Sequence, residues 1–232
     1  MSRLSVVIPF WSKEGHFDTM LADCVRSLRG QFDELIVVSN QPDEEGRALF
    51  SKWVNLGLRL ASGDYTLVLN SDTLLDPASN LRDLCVPDTI TCPIVNGDDY
   101  PFWGCAFCIP RTVYAAHGGL DEAFKGYFED LDYCVRMYQA GVPIRSVKNV
   151  HLAHVGGHSY KQGLAVSRME QENEAIFLRK HGRVWHVSEL IADAPNCRQG
   201  HAWVVDEIMP DGFVAHHCER GDHRATTPWR MA

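Results

Sequence analysis

Acidic and imidazole side chains occur in three short segments whose residue types could bind a cation and move a proton. Residues 61–72 end an apolar run in a polar turn that carries one carboxylate, Asp72. The acidic segment 129–132 and the histidine-containing segment 151–154 follow further along the chain. Carboxylates and imidazole bind divalent ions, and a carboxylate can also act as a general base. If the fold brings the segments together, they predict an enzyme with a polar substrate.

The composition is that of a globular protein with an acidic surface. Of the 232 residues 45% are hydrophobic, and the formal net charge is −8. This charge disfavours nonspecific binding to phosphate backbones, although it does not exclude a nucleic-acid acceptor held at one site. No apolar run approaches the roughly 20 residues that span a bilayer, and strand-forming residues begin almost at the N-terminus, so we expect an unprocessed cytoplasmic protein. Six of the eight cysteines lie in apolar contexts, which indicates reduced thiols.

The hydrophobic pattern alternates between strand and helix and predicts an α/β fold. The predicted strands are 6–8, 35–38, 66–69, 89–95, 102–109 and 144–147, and the predicted helices are 17–28, 48–60, 129–139 and 166–180. A further short helix is predicted to begin at Pro77, with Asp76 as its cap. From Pro195 onward the chain is rich in His, Cys, Gly and Arg. We therefore predict a main domain over residues 1–194 and a small segment over residues 195–232.

Six motifs in a fixed order resemble the GT-A-type nucleotide-sugar glycosyltransferases, especially the inverting family 2. They are Ser5 to Pro9, Asn55-x-Gly57 with Ala61-x-Gly63-Asp64-Tyr65, Leu69-Asn70-Ser71-Asp72, Gly118 to Glu122, Phe128 to Arg136, and His154-x-x-Gly157-x-Ser159. The resemblance covers about residues 5–159. It implies a Rossmann-like α/β domain with a mixed, mostly parallel sheet flanked by helices, followed here by a small His/Cys-rich appendage.

The resemblance implies a donor site for a nucleotide sugar. Asp72, in a variant of the family's Asp-x-Asp motif, would hold Mn²⁺ or Mg²⁺, and His154 is the candidate second ligand. Asn70 stands where the family often has the first Asp, and it brings no charge. The residues predicted to bind the donor are Pro9, Phe10, Asn55, Gly57, Asn70, Ser71 and Asp72. The family's acid at the end of the second strand is replaced by Ser39-Asn40, which leaves the donor's nucleotide and sugar, a hexose or a pentose, open.

The resemblance also implies an acceptor site. Asp130 would be the base that deprotonates the acceptor hydroxyl, and Glu129 would orient the acceptor. Trp103 and Gly104 would form a platform on which a sugar stacks. Each residue also has an ordinary interpretation: Asp72 could be a turn residue, Asp130 could charge a helix N-terminus, and Trp103 could be core. Asp132 is predicted to pair with Arg136 at i, i+4 instead of taking part in catalysis.

Three other functions remain open at the level of sequence. The same transfer could be directed at a modified base in DNA, with the C-terminal segment aiding recognition. A nucleotidyltransferase of similar architecture would need a Gly-rich phosphate loop after the first strand, and residues 9–15 contain one glycine. A noncatalytic zinc-binding protein is the third. Compared with these three, sugar transfer to the hydroxyl of a saccharide or another small acceptor accounts for the most motifs.

The C-terminal segment offers cysteine and histidine in two groups that could hold a structural Zn²⁺. The four predicted ligands are Cys197, His201, Cys218 and His223, with His217 as a substitute. Tetrahedral zinc takes such ligands, and a segment of under 40 residues has little core of its own. Arg220, Arg224 and Arg230 would then give a basic face suited to a nucleic-acid acceptor. The alternative is a structured tail with buried thiols and solvated histidines.

Overall fold

The computed structural model describes residues 2–11, 18–39, 49–99, 102–155, 166–183, 185, 203–208, 213–218 and 224–228. The chain forms two compact units, residues 1–184 and residues 185–232. The predicted boundary near Ala194 falls between described segments and stays a prediction. Among the described residues, the helices are all too short or too polar to span a bilayer.

The first unit alternates strands and helices along most of its length. Its strands are β1 (Leu4–Phe10), β2 (Glu34–Ser39), β3 (Tyr65–Leu69), β4 (Thr73–Leu75), β5 (Ile90–Val95), β6 (Ala106–Pro110) and β7 (Ile144–His154). Its α-helices are α1 (Asp18–Ser27), α2 (Phe50–Leu60), α3 (Arg111–His117), α4 (Glu129–Gln139) and α5 (Val166–His181), and a 3₁₀ helix covers Leu81–Leu84. The predicted α/β character is confirmed.

The seven strands form one mixed sheet in the order β2-β1-β3-β6-β5-β7-β4. β1 is parallel to both β2 and β3, and β5 is parallel to β7. β6 runs antiparallel to β3 and β5, and β4 runs antiparallel to β7. Five of the seven strands therefore point the same way, with β4 and β6 reversed. This is the mixed, mostly parallel sheet that the sequence predicts.

Helices cover both faces of this sheet because β1 and β3 are apolar on both sides. Leu4, Val6 and Ile8 of β1 pack in one cluster with Cys24 and Leu28, at and just after the end of α1. Val7 points the other way and packs in a cluster that includes Trp53 and Leu56 of α2. At Gly57 of α2 an added Cβ would lie 2.2 Å from Val7 Cγ1. The glycine therefore lets α2 lie directly against β1.

Three local predictions are wrong, and the largest error, at β7, has a long-range cause. Pro77 lies in a turn, where Asp76 Oδ1 accepts a bond from the Ala78 amide at 2.8 Å, and the 3₁₀ helix starts only at Leu81. β6 starts at Ala106 instead of Phe102. β7 continues to His154, beyond the predicted end at Val147, because it pairs with both β5 and the unpredicted β4. Partner strands, more than local residue preference, set these boundaries.

The second unit contains a three-stranded antiparallel sheet. Its strands are β8 (Trp203–Ile208), β9 (Phe213–Cys218) and β10 (Arg224–Pro228), in the order β10-β9-β8. The register shifts between Val205 and Glu207, so β8 carries a bulge opposite β9. The appendage predicted for the C-terminal segment is thus built on a meander of short strands.

Candidate functional site

Several of the predicted site residues lie at one edge of the large sheet. The parallel strands β1, β3, β5 and β7 all end there, at Phe10, Leu69, Val95 and His154. The reversed strand β6 begins at the same edge with Ala106, the partner of Leu69. Chain segments that follow parallel strands emerge together at this edge, which is where α/β proteins bind ligands.

Asp72 and His154 are brought together by the pairing of β4 with β7. Thr73 is the register partner of His154, and the Val155 amide donates to the Asp72 carbonyl at 3.1 Å. Across this short ladder Asp72 Oδ1 lies 3.2 Å from His154 Nε2, with side-chain exposures of 13% and 21%. His154 therefore lies on a strand instead of in the loop that its histidine-rich surroundings suggest.

The two side chains form a charge-assisted pair. Burial disfavours the charged imidazole, but hydrogen bonds and charges from Asp72 and Cys105 outweigh it and raise the pKa of His154 to about 10. The ring is thus an imidazolium that donates from Nε2 to the carboxylate. A cation that binds between these atoms takes the place of that proton.

The donor atoms of this pair fit a divalent ion. A carboxylate oxygen suits Mg²⁺ and Mn²⁺, and an imidazole nitrogen suits Mn²⁺ better than Mg²⁺. Asp72 Oδ1 and His154 Nε2 face each other at 3.2 Å, so both could bind one cation once the ring has lost its proton. Among the described residues, no group of three or more His, Cys, Asp or Glu side chains could hold a metal ion. Phosphate oxygens of a substrate and water would have to supply the remaining ligands.

Residues 103–105 connect this pair with the acidic start of α4. The Cys105 carbonyl accepts from the Asn70 amide at 2.8 Å, and its thiol bonds to the His154 ring. At Gly104, an added Cβ would lie 3.0 Å from Asp130 Oδ2. The backbone of Gly104 therefore lies directly against the Asp130 carboxylate. Trp103, the first residue of this segment, is partly buried and packs against the core cluster that includes Leu4 and Leu69.

Glu129 and Asp130 form a crowded pair of acids in the first turn of α4. Glu129 is buried, and its Oε2 has no hydrogen-bond partner among the described residues. Asp130 is partly buried and accepts from the Leu131 amide at 2.8 Å. Burial, followed by the charge of Asp130, raises the pKa of Glu129 to about 8, and burial also raises the pKa of Asp130. Near neutral pH Glu129 therefore keeps its proton, which relieves repulsion between the two groups.

The backbone that leads into these acids is strained. Tyr127 and Phe128 have φ values of 64° and 66°, a left-handed conformation that costs about 1–2 kcal/mol for each non-glycine residue. Asn173 of α5 is buried, and its Nδ2 donates to the carbonyls of both Gly126 and Tyr127. The Phe128 ring lies 5.5 Å from that of Phe177 on the same helix. Helix α5 therefore holds the strained turn that presents Glu129 and Asp130.

Asp132, two residues after Asp130, is fully buried and bonded to three basic side chains. It lies 2.9 Å from Arg136 Nε, 2.7 Å from Lys180 Nζ and 2.8 Å from His181 Nε2. The predicted pairing with Arg136 is present and is part of a larger network that ties α4 to α5. Both oxygens of this carboxylate bond to protein side chains.

The other predicted donor-binding residues lie in different environments. Asn55 is buried and exchanges two hydrogen bonds with the backbone of Leu120, at 2.7 and 2.9 Å, and Gly119 passes so close that an added Cβ would lie 2.2 Å from Asn55 Oδ1. Asn55 and Gly57 thus shape the fold around the site, and a donor contact for them stays a prediction. Pro9 and Phe10 end β1, and Asn70 and Ser71 precede Asp72, all at the site edge.

The predicted zinc ligands are mostly outside the described residues. Cys197, His201 and His223 are not described, and Cys218 ends β9 as the register partner of Trp203. The zinc module, with His217 as its substitute ligand, stays a prediction.

Three residues near the site were missed by sequence reasoning. Cys105 contacts His154, Asn173 holds the turn before α4, and Asn96 bonds to the backbone of His154 at 2.9 Å. Only Asn96 carried a local signal, since Asn96-Gly97 is a hairpin-turn dipeptide. The contacts of all three join segments that are far apart in the sequence.

Comparisons with known proteins identify the fold. No protein-family model matches the sequence, and no curated protein matches it. The catalytic domain of Drosophila β1,4-galactosyltransferase 7 in complex with xylobiose superposes with a TM-score of 0.56 at 13% identity, covering 97% of this chain and 92% of that chain. A mutant of that enzyme, in complex with manganese, UDP-Gal and xylobiose, gives a TM-score of 0.56 at 12% identity, with the same coverage of 97% and 92%.

A second type of enzyme shares the architecture. The mannosyltransferase PcManGT from Pyrobaculum calidifontis, in complex with GDP-Man and Mn²⁺, gives a TM-score of 0.51 at 13% identity, covering 80% of this chain and 65% of that chain. The chain has the GT-A fold of these glycosyltransferases, as the order of its sequence motifs predicts.

Proposed function

We propose that this chain is an inverting glycosyltransferase that depends on a divalent metal ion and moves a sugar from a nucleotide-sugar donor to an acceptor hydroxyl. One observation carries the proposal: residues 103–105 contact both the Asp72–His154 pair, through Cys105, and Asp130, through Gly104. A candidate metal site and a candidate base are thus joined by three consecutive residues at the ligand-binding edge of the sheet. Sugar transfer needs these two functions next to each other.

On the donor side, Asp72 and His154 would hold Mn²⁺ or Mg²⁺. When bound, the cation supplies charge stabilisation to the departing diphosphate. Asn70 and Ser71 flank the same turn, and Pro9 and Phe10 end the neighbouring strand β1, so these four residues would contact the nucleotide. Because only two protein ligands are present, the phosphates of the donor would complete the site, and metal and donor would bind cooperatively.

On the acceptor side, Asp130 would take the proton of the acceptor hydroxyl. As that oxygen forms its bond to the anomeric carbon, the bond from this carbon to the diphosphate breaks on the opposite face, which inverts the configuration. A positioned base contributes roughly 10²- to 10⁴-fold to such a step. Glu129, which keeps its proton near neutral pH, would donate a hydrogen bond to the acceptor, and Trp103 would stack against a sugar ring.

The structural neighbours support a saccharide acceptor and a hexose donor. Their complexes contain UDP-Gal with xylobiose, and GDP-Man, each with manganese. We therefore favour a saccharide hydroxyl over a modified nucleobase, whose main support was the predicted zinc module.

The test is an assay of the purified chain with UDP- and GDP-linked sugars, Mn²⁺ and a panel of disaccharides that includes xylobiose. We expect release of one nucleoside diphosphate that EDTA abolishes, and a product whose new linkage has the opposite anomeric configuration by NMR. Asp72→Asn serves as the control and should lose the metal-dependent release. No release from any donor with any divalent ion would reject the proposal, and a retained configuration would reject the inverting mechanism.

A further inference from the structure

Asn96 lies in the tight turn that follows β5, next to the site edge. Asn96 and Gly97 both have positive φ, 53° and 85°, and Val95 and Asp98 exchange backbone hydrogen bonds of 2.9 and 3.3 Å across them. Two central residues of positive φ define the turn in which Asn-Gly is strongly favoured. Turn formation alone would explain an asparagine here, and glycine would serve equally well.

The side chain of Asn96 makes two further bonds that the turn does not need. Its Nδ2 donates to the His154 carbonyl at 2.9 Å, and its Oδ1 accepts from the His154 amide at 2.9 Å. The Asn96 backbone amide donates to the Leu152 carbonyl, also at 2.9 Å. The amide side chain thus continues the β5–β7 ladder past Val95, where β5 has ended. Among the side chains, only those of asparagine and glutamine carry an N–H donor and a carbonyl acceptor on one planar amide, as a peptide group does.

This contact fixes the end of β7 from the side opposite β4. Thr73 of β4 is the register partner of His154 on one side, and Asn96 occupies the other side. His154 is the last residue of its strand, and the Asn96 amide bonds to both of its backbone polar groups. With both backbone groups of His154 bonded, its ring is held toward Asp72 Oδ1.

We infer that Asn96 is a positioning residue for the metal site: its side-chain amide fixes the His154 backbone so that Nε2 and Asp72 Oδ1 face the same cation. This inference rests on the proposed function, since it assigns a role within the Asp72–His154 site. Groups that orient metal ligands typically change metal affinity by about 10- to 100-fold when removed. Asn96 is solvent-exposed and acts on the backbone, so we expect about tenfold, the low end of that range.

Two variants separate the amide contact from the turn. Asn96→Gly removes both side-chain bonds and suits the φ of 53°, so the turn is kept. Gly97→Ala keeps the Asn96 amide but strains the turn, because residue 97 has φ 85°. A Cβ there would meet nothing within 4 Å, so the strain comes from the backbone conformation and not from a clash. Asp72→Asn is the reference for loss of the metal site itself.

The experiment measures the affinity for UDP and for GDP by calorimetry, in Mn²⁺ and in EDTA, together with binding of Mn²⁺ alone by electron paramagnetic resonance. Asn96→Gly should lose about tenfold of the Mn²⁺-dependent affinity and keep the affinity measured in EDTA. Gly97→Ala should lower the melting temperature and keep the Mn²⁺-dependent affinity.

Each alternative result has a distinct meaning. If Asp72→Asn loses the Mn²⁺ dependence while Asn96→Gly retains it in full, Asn96 is only a turn residue and the inference is wrong. Equal losses in Asn96→Gly and Gly97→Ala would also overturn it, because turn integrity would then be the cause. If the unaltered protein shows no Mn²⁺ dependence, or Asp72→Asn keeps it, the proposed metal site fails and the role of Asn96 fails with it.

Discussion

Asp130 and Asp132 lie two residues apart on α4, and their surroundings are opposite. Asp132 is fully buried and lies within 3 Å of the cationic side chains of Arg136 and Lys180 and of the His181 ring. Asp130 is partly buried against Gly104, its hydrogen bond comes from the Leu131 amide, and none of the described cationic groups forms an ion pair with it. The bonds of Asp132 to side chains of α4 and α5 hold these two helices together. The proposed role in substrate transfer belongs to Asp130, whose charge the protein compensates less.

The raised pKa values sharpen this contrast. Burial shifts the pKa of both Glu129 and Asp130 upward, which means that the folded protein disfavours their charged forms. The strained turn at Tyr127 and Phe128 adds a further cost in the same place. A free-energy cost concentrated at candidate catalytic groups is common at functional sites. The bonds of Asp132 to Arg136, Lys180 and His181, and those of Asn173 to the strained turn, would offset this cost in free energy.

The largest expected effect is the loss of transfer in Asp130→Asn. The amide keeps the shape of the side chain but cannot accept the acceptor proton, so we expect the transfer rate to fall roughly 10²- to 10⁴-fold. Binding of the donor nucleotide in Mn²⁺ should not change, because Asp72 and His154 are untouched. Single-turnover rates and calorimetry would measure the two quantities.

Asp132→Asn is the matched control for that experiment, since it makes the same chemical change two residues away. It should retain transfer to within tenfold per folded molecule. If Asp130→Asn were active and Asp132→Asn inactive, the roles given to the two aspartates would have to be exchanged.

The second effect is on stability and concerns Asp132. Breaking a buried ion pair by removing one charge typically costs 3–5 kcal/mol, because the partners remain desolvated. Arg136 and Lys180 are partly exposed, with side-chain exposures of 23% and 32%, so we expect the low end. The free energy of unfolding of Asp132→Asn, from urea titration, should therefore fall by about 3 kcal/mol.

Asp121 provides the comparison for this measurement. It pairs with the same lysine at 2.6 Å but is 33% exposed, so Asp121→Asn should cost less than about 1 kcal/mol. Equal losses in the two variants would mean that burial of Asp132 adds nothing, and the contrast between the two regions of α4 would weaken.

The sequence predicted most of the helices and strands and fewer of the contacts within the site. Apolar runs of β-branched residues located β1, β2 and β3, and helical spacing located α1, α2, α4 and α5, because local pattern decides those elements. β4 has three residues, Thr73–Leu75, and owes its strand character to β7. No local pattern distinguishes such a segment from a turn. The extension of β7 to His154 was missed for the same reason.

Within the site, residue types indicated the chemistry but not the supporting contacts. The resemblance to GT-A enzymes named Asp72, His154, Glu129 and Asp130, and the fold places them at one sheet edge. The bonds of Asn96 to His154 join residues 58 positions apart, and those of Asn173 to Tyr127 join residues 46 positions apart. Such side-chain-to-backbone contacts depend on the finished fold, so spacing along the chain cannot predict them.

The last expected effect is a pH-dependent gain in stability in Glu129→Gln. The folded pKa of Glu129, about 8, lies above its ordinary value of 4.5. Between these two pH values the unfolded chain loses this proton while the folded protein keeps it, so the contribution of Glu129 to stability falls as pH rises. Glutamine does not titrate. The variant should therefore gain on the unaltered protein by about 1.4 kcal/mol for each pH unit between pH 4.5 and pH 8, and the difference should level off above that.

Urea unfolding at several pH values between 4.5 and 9 would measure this difference. The same series on the Asp130→Asn background tests the cause: with the neighbouring charge removed, only burial raises the pKa of Glu129, so the pH-dependent gain should shrink. A stability difference that does not change with pH would show that Glu129 ionises normally in the folded protein. Glu129 would then bring a second negative charge beside Asp130, and it could orient an acceptor only by accepting hydrogen bonds, not by donating one.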